Sequence, residues 1–351
     1  MKTKIIALSQ EQPALFVADC LPCPRFAFCQ RSVTRQCRVP EDVRELTRYW
    51  QIQRRRVVAA GGIAPRELPP VRLQPRLARV THIIGREAFR ADRSVPQDLG
   101  IYAHNAVGRL GSSLAVRPET LEKKGLLTLP KALVISDRDP WLAGFLHFAG
   151  NPFAKSVLDH QFTAMMGPNL SAYHEVEHYV WLDNRALCQQ FMGFALRHGL
   201  PAIFHTYLED SPVHQKWLVE YLKLNPSQHF IATGFDRNAT KNPRFARKRI
   251  RMLEAVEHRV GRPLRVVLHN VMTGIRFIKL AHAAFPQRLH LLGRSVVMRS
   301  YGGSSLVFKD NGASDWIVKD LNFPLGIELF NHNARQLEQA LATFIPSFFD
   351  T

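Results

Sequence analysis

The feature that most restricts the fold is an alternation that starts at Lys131 and continues toward the C-terminus. Short, unbroken apolar runs are separated by longer stretches with helical periodicity. Strands covered on both faces carry such continuous apolar runs, and strands joined by helices make a parallel sheet. The runs are Ala132–Ser136, Phe162–Met166, Ala202–Phe204, Phe230–Thr233, Leu264–Leu268 and Leu289–Leu292, with a further one at Ser305–Phe308. The punctuation between them agrees. Pro140 and Pro152 each open a helix, and Gly199 closes the helix that follows the second run. Ser211-Pro212 is an N-cap followed by proline at the first helical position. From about Asp315 the chain reads as helical, with breaks at Pro324 and Pro346. Cys188, inside the long helix before Gly199, reads as a packed structural thiol.

Six or seven strand–helix units in roughly 220 residues fit a TIM-like barrel, distorted or incomplete, better than an open doubly wound sheet. No Gly-x-Gly-x-x-Gly follows the first run, and there is no P-loop. The fold class expected is therefore α/β, a TIM-like barrel preceded by a cysteine-rich, arginine-rich N-terminal arm. Three regions result: 1–60, a cysteine-rich metal-binding module plus a helix from Pro40; 61–130, an irregular basic arm or small lobe in which Leu77–Ile84 is a short strand and Tyr102–Gly108 a loop; and 131–351, the barrel.

Nearly every apolar run ends in ionisable or amide residues. Asp137 and Asp139 follow the first, Asn169 the second, His205 and Glu209 the third, Asp236 and Arg237 the fourth, His269 and Asn270 the fifth, and Arg294 the sixth. In a barrel these positions converge on the C-terminal face, where barrel enzymes place their chemistry. With Tyr173, His174 and Glu175 they form the candidate catalytic set. Chains also leave the core at strand ends, and polarity there has that simpler origin as well.

Residues 133–237 resemble an uncharacterised bacterial and phage family defined only as a domain of unknown function. Its members show a strand ending in Pro-Asp-Phe-Ser-x-Tyr, then a helix with Asn and Arg-x-Leu, then Gly-Ile-x-x-Ile. The corresponding residues here are Pro168-Asn169-Leu170-Ser171-Ala172-Tyr173, Asn184-Arg185-Ala186-Leu187 and Gly199-Leu200-Pro201-Ala202-Ile203. Asn169 stands where the family has Asp, and Leu170 where it has Phe. The resemblance implies a barrel-like α/β fold and a phage or mobile-element setting, and no particular activity.

His174-Glu175-Val176-Glu177-His178 fits both His-Glu-x-x-His and the inverted His-x-x-Glu-His, in which two histidines four apart on a helix hold zinc and a glutamate activates water. A first-turn carboxylate that complements the helix dipole explains Glu175 and Glu177 without any metal. Upstream, Cys20, Cys23, Cys29 and Cys37 have the spacing C-x2-C-x5-C-x7-C. In a cytosolic chain such bunching points to a four-thiolate zinc site or an iron–sulfur cluster rather than to disulfides, with free or buried thiols as the alternative.

A formal net charge of +18 and a pI of about 10.2 point to a polyanionic partner, most simply DNA or RNA, or to a solvated basic surface with no specific ligand. Arg54, Arg55 and Arg56, and Arg244, Arg247, Lys248 and Arg251 on a basic amphipathic helix, are the candidate contacts. No apolar run reaches the ~20 residues of a membrane span, and the N-terminus lacks a signal-peptide pattern, so a cytoplasmic protein without a membrane partner is expected. Three readings follow: a nucleic-acid-associated barrel protein with a strand-end active site, a zinc-dependent hydrolase built on residues 174–178, and a non-catalytic nucleic-acid-binding or assembly protein.

Overall fold

The computed structural model describes residues 62–85, 99–137, 139–170, 178–208, 212–234, 243–271, 273–318 and 326–350. Eight parallel strands close into a barrel: β1 (Val80–Ile84), β2 (Leu99–Tyr102), then, past a hairpin of β3 (Val107–Leu110) and β4 (Ser113–Val116), β5 (Lys131–Val134), β6 (Phe162–Met166), β7 (Ala202–His205), β8 (Phe230–Gly234), β9 (Arg265–His269) and β10 (Leu289–Gly293). The barrel closes where β1 lies parallel to β10, with Val80 opposite Leu291 and His82 opposite Gly293. Strand order around the barrel follows chain order, the topology of a TIM-like α/β barrel.

The barrel therefore starts well before Lys131. Residues 61–130, expected to be an irregular arm or small lobe, supply two of its strands. Tyr102, expected in a loop, ends β2 and leads into the short helix Ala103–Ala106. The stretch before β1 is also ordered. Ile63 accepts the Trp217 indole N–H at 2.6 Å, the Leu68 amide donates to Asn225 Oδ1 at 2.8 Å, and the Arg76 amide donates to the Thr163 carbonyl at 2.8 Å. These bonds run a strap beneath the strand N-termini. The seventh apolar run is not a barrel strand either. Ser304–Phe308 (β11) pairs antiparallel with Ser314–Val318 (β12), so the chain from Asp315 is at first a strand, and the helix expected there is Ile327–Phe344.

Two apolar cores result. One fills the barrel and includes Ile83, Tyr102, Ala132, Val134, Met166, Ile203, Ala232, Val267 and Leu292. The other packs the outward strand residues against the helices. Inward positions recur every second residue, so the parity set by Ile203 and Val267 turns His205 and His269 inward too. The return helices include His178–Arg197, Pro212–Leu224, Pro243–Val260 and Ile275–Ala284. The first ends at Gly199, whose φ of 68° is the left-handed conformation such a cap requires. Cys188 is buried on that helix and its thiol donates to the Pro168 carbonyl at 3.2 Å, which is a packing role. No helix among the described residues is long and apolar enough to cross a membrane.

Candidate functional site at the C-terminal mouth

The C-terminal ends of the strands carry a connected set of polar and aromatic side chains. His205 ends β7 and His269 ends β9; both are essentially fully buried. Their ring centroids lie 6.1 Å apart and their planes are nearly perpendicular, at 88°. The strand between them, β8, ends in Gly234, which is opposite His269 in register. A Cβ there would lie 3.1 Å from Tyr207 Cε1 and 3.7 Å from His205 Nε2, so the missing side chain leaves room for the Tyr207 ring and lets His205 Nε2 face the space above β8.

Tyr102, from the end of β2, reaches across the barrel to the edge of His269, centroid to centroid 6.5 Å, and stacks on His104 at 5.2 Å. His104 Nδ1 is 3.1 Å from Asp137 Oδ2, just past β5. On the other side Tyr207 meets His205 edge-on at 5.5 Å. Tyr207 is itself fixed by Arg185, a buried guanidinium that donates to the Tyr207 carbonyl at 3.2 Å and to the His214 carbonyl at 2.5 Å. Asn169 is buried beyond β6, donating from Nδ2 to Ser136 Oγ at 3.2 Å and from its backbone to the Ile135 carbonyl at 3.0 Å. Arg294 follows β10 and lies over Gly85. A Cβ on Gly85 would stand 2.4 Å from that guanidinium, which would have to move aside.

The electrostatics are dominated by burial. Burial lowers the pKa of His269 to about 4. Burial, and then the neighbouring His269, hold His205 well below the ordinary 6.5. Both imidazoles are neutral, each with a lone pair available as base or ligand. His205 Nε2 and both ring nitrogens of His269 have no hydrogen-bond partner among the described residues. Leaving a polar atom buried and unpaired costs about 1–3 kcal/mol.

Of the strand-end set, the structure brings His205 and His269 together and places Asp137, Asn169 and Arg294 on the same rim. Asp139 opens the helix Asp139–Phe148. Tyr173, His174, Glu175, Glu209 and Asp236 lie outside the described residues, as do the cysteine cluster and Arg54, Arg55 and Arg56. Of the zinc-hydrolase motif only His178 is reached, as the first residue of its helix. Tyr102, His104, Tyr207 and Gly234 were missed as site residues. The available signal was Tyr102-Ala103-His104 at the end of a short apolar run.

Arg244, Arg247, Lys248 and Arg251 are exposed along the helix Pro243–Val260. With Gln215, Met252 and Ala255 they line a groove of about 500 Å³. That helix follows β8, so its N-terminal end is on the mouth side of the barrel. Arg249, on the opposite face, is buried. It donates to the Gly234 carbonyl at 3.3 Å and lies 4.6 Å over the Phe245 ring. A smaller cavity of about 330 Å³, lined by Arg76, Thr81, Lys131 and Thr163 among others, lies at the strand N-termini. Residues at that end of a barrel serve stability rather than chemistry.

Fold and site together define a closed parallel α/β barrel with a buried histidine pair at its C-terminal mouth. No protein-family model matches the chain, and no curated protein matches it in sequence.

Proposed function

We propose that the protein is a barrel enzyme acting on a nucleic acid, with its reacting centre at His205 and His269. The observation that carries this reading is the pair itself: two buried, neutral imidazoles at inward positions on either side of β8, with ring nitrogens left unpaired at the mouth. Such groups activate a water or hydroxyl. Tyr102 and the His104–Asp137 pair extend the donors and acceptors along the rim. The net charge of +18 and the cationic groove of Arg244, Arg247, Lys248 and Arg251 support a polyanionic substrate. The groove starts on the mouth side, so a strand held by its phosphates there would lead into the site.

The test uses the full chain with fluorescent single-stranded DNA, duplex DNA and RNA. Binding is followed by anisotropy over a salt series, and products are identified by mass spectrometry. The expected result is salt-dependent binding with chemical conversion of at least one substrate. Salt-dependent binding without conversion of any of them would instead indicate a binding or assembly protein.

A further inference from the structure

We propose that one cationic track runs the full height of the barrel and holds a continuous stretch of nucleic-acid backbone. It leads from the groove near the mouth, down the helix Pro243–Val260, to an anchoring cluster of Arg262, Arg265 and His229 at the strand N-termini. The helix follows β8 and leads into β9, so it descends from the mouth to the opposite end of the barrel. Its 18 residues cover about 27 Å. Arg244, Lys248, Arg251 and Arg259 are all exposed, and their spacing keeps them on one helical face. Glu254 is the exposed acid of this helix.

Adjacent strands build the lower cluster. Arg265 is exposed and opens β9 opposite Phe230 of β8; its amide donates to the His229 carbonyl at 2.7 Å, and its guanidinium lies 5.4 Å from the centre of the Phe230 ring. Arg262 donates to the Leu222 and Asn225 carbonyls at 3.2 and 3.1 Å. Arg79, just before β1, donates to the Leu289 and Asp350 carbonyls. None of these three guanidiniums pairs with a carboxylate among the described residues. Glu257, the acid nearest Arg262 in sequence, is held by Arg288 and by the Leu264 amide. The cations oppose one another instead. Burial and then Arg265 lower the pKa of Arg79, and burial, Arg262 and Arg265 lower that of His229. Phosphate oxygens would relieve this repulsion, and the planar fork of arginine matches them in geometry. A ligand that engages both ends of the track must span about 27 Å, or about eight base pairs. The inference rests on the reading of the protein as one that acts on nucleic acid, but its readout is binding and not conversion.

Full-length protein is titrated over a salt series with a fluorescent DNA duplex of about 16 base pairs and with a hairpin of about 5, roughly 54 and 17 Å long. In the wild type the slope of log K against log salt should be shallower on the hairpin by at least about 2, because the hairpin cannot reach both ends. Arg259→Gln with Arg265→Gln, two exposed positions, should flatten the slope on the long duplex by about 1.8. Far-UV circular dichroism establishes that this variant is folded. Phenylglyoxal labelling of the wild type, read by peptide mass spectrometry, needs no variant. Arg265 should react at least about threefold more slowly with the long duplex bound. An unchanged slope in the double variant, or unchanged labelling of Arg265 under bound duplex, would overturn the track and leave the reacting centre standing. No binding of either DNA would overturn both.

Discussion

The ring planes of His205 and His269 stand at 88° to each other across the width of one strand, β8, which sets Ala232 opposite His205 and Gly234 opposite His269. Among the described residues His205 Nε2 and both ring nitrogens of His269 have no hydrogen-bond partner. If the pair is kept for chemistry, it carries a stability cost. Replacing both rings by leucine, of similar volume, should leave the melting temperature unchanged or raise it, because up to three unpaired polar atoms are removed at about 1–3 kcal/mol each. Conversion of substrate should be lost. Calorimetry of the double variant beside its activity checks the pairing of these two effects, and a drop of several degrees with activity retained would contradict it.

The basic helix separates two kinds of arginine. Arg247→Ala with Arg251→Ala removes exposed cations, so folding stability should change by no more than about 0.5 kcal/mol. The slope of log K against log salt for duplex DNA should flatten by about 1.8. Arg249→Met should do the reverse. It strips a charged donor from the Gly234 carbonyl and a stacked group from Phe245, costing about 2–3 kcal/mol, with the salt slope unchanged. Denaturant melts and anisotropy titrations of both variants provide the comparison.

Acid should weaken the fold before the carboxylates titrate. His82, wholly buried with its ring edge-on to Phe330 at 5.2 Å, has its pKa lowered to about 4 by burial. His290, inside the barrel, is lowered to about 4 mainly by burial, with its Nδ1 3.0 Å from the Ala78 carbonyl. Both folded values lie below the 6.5 of a free histidine. As pH falls, the unfolded chain therefore takes up these protons first, and stability decreases from about pH 6.5 down to about pH 4. Each ring accounts for up to about 3 kcal/mol of this loss. His82→Leu should flatten the stability–pH slope in that window by about one proton, measured by urea melts at several pH values.

Outside the barrel, Asn333 ties the helix Ile327–Phe344 to β11. It is fully buried, accepts from the Leu306 amide at 2.6 Å, and donates to the Ser304 carbonyl at 2.9 Å and Ser300 Oγ at 2.8 Å. Asn333→Ala strands three groups and should cost about 2–4 kcal/mol, read as a lower denaturant midpoint.

Where the sequence was informative, strand burial explains why. Phe162–Met166 was read to the residue because a strand covered on both faces has no polar position to interrupt it. β1 and β2 were not read as barrel strands. Val80–Ile84 includes Thr81 and His82, and Leu99–Tyr102 is four residues long with Gly100 inside it, where a Cβ would stand 3.3 Å from the Ala132 carbonyl. Ser304–Phe308 has the same apolar pattern as a barrel strand, and only its antiparallel pairing with β12 distinguishes it. The site followed the strands. His205 and His269 were visible as the ends of correctly placed runs. Tyr102 and His104 stayed hidden because their strand was not counted, and no residue type in β8 marks Gly234 as the spacer between two rings.

The most direct test of the account is single-turnover conversion of a labelled oligonucleotide by wild type and by His205→Ala with His269→Ala, at protein concentrations that saturate binding in both. Binding affinities should agree within threefold, and the rate should be lower in the variant by about 10²–10⁴ or more. Equal rates, or binding with no conversion by the wild type, would contradict it.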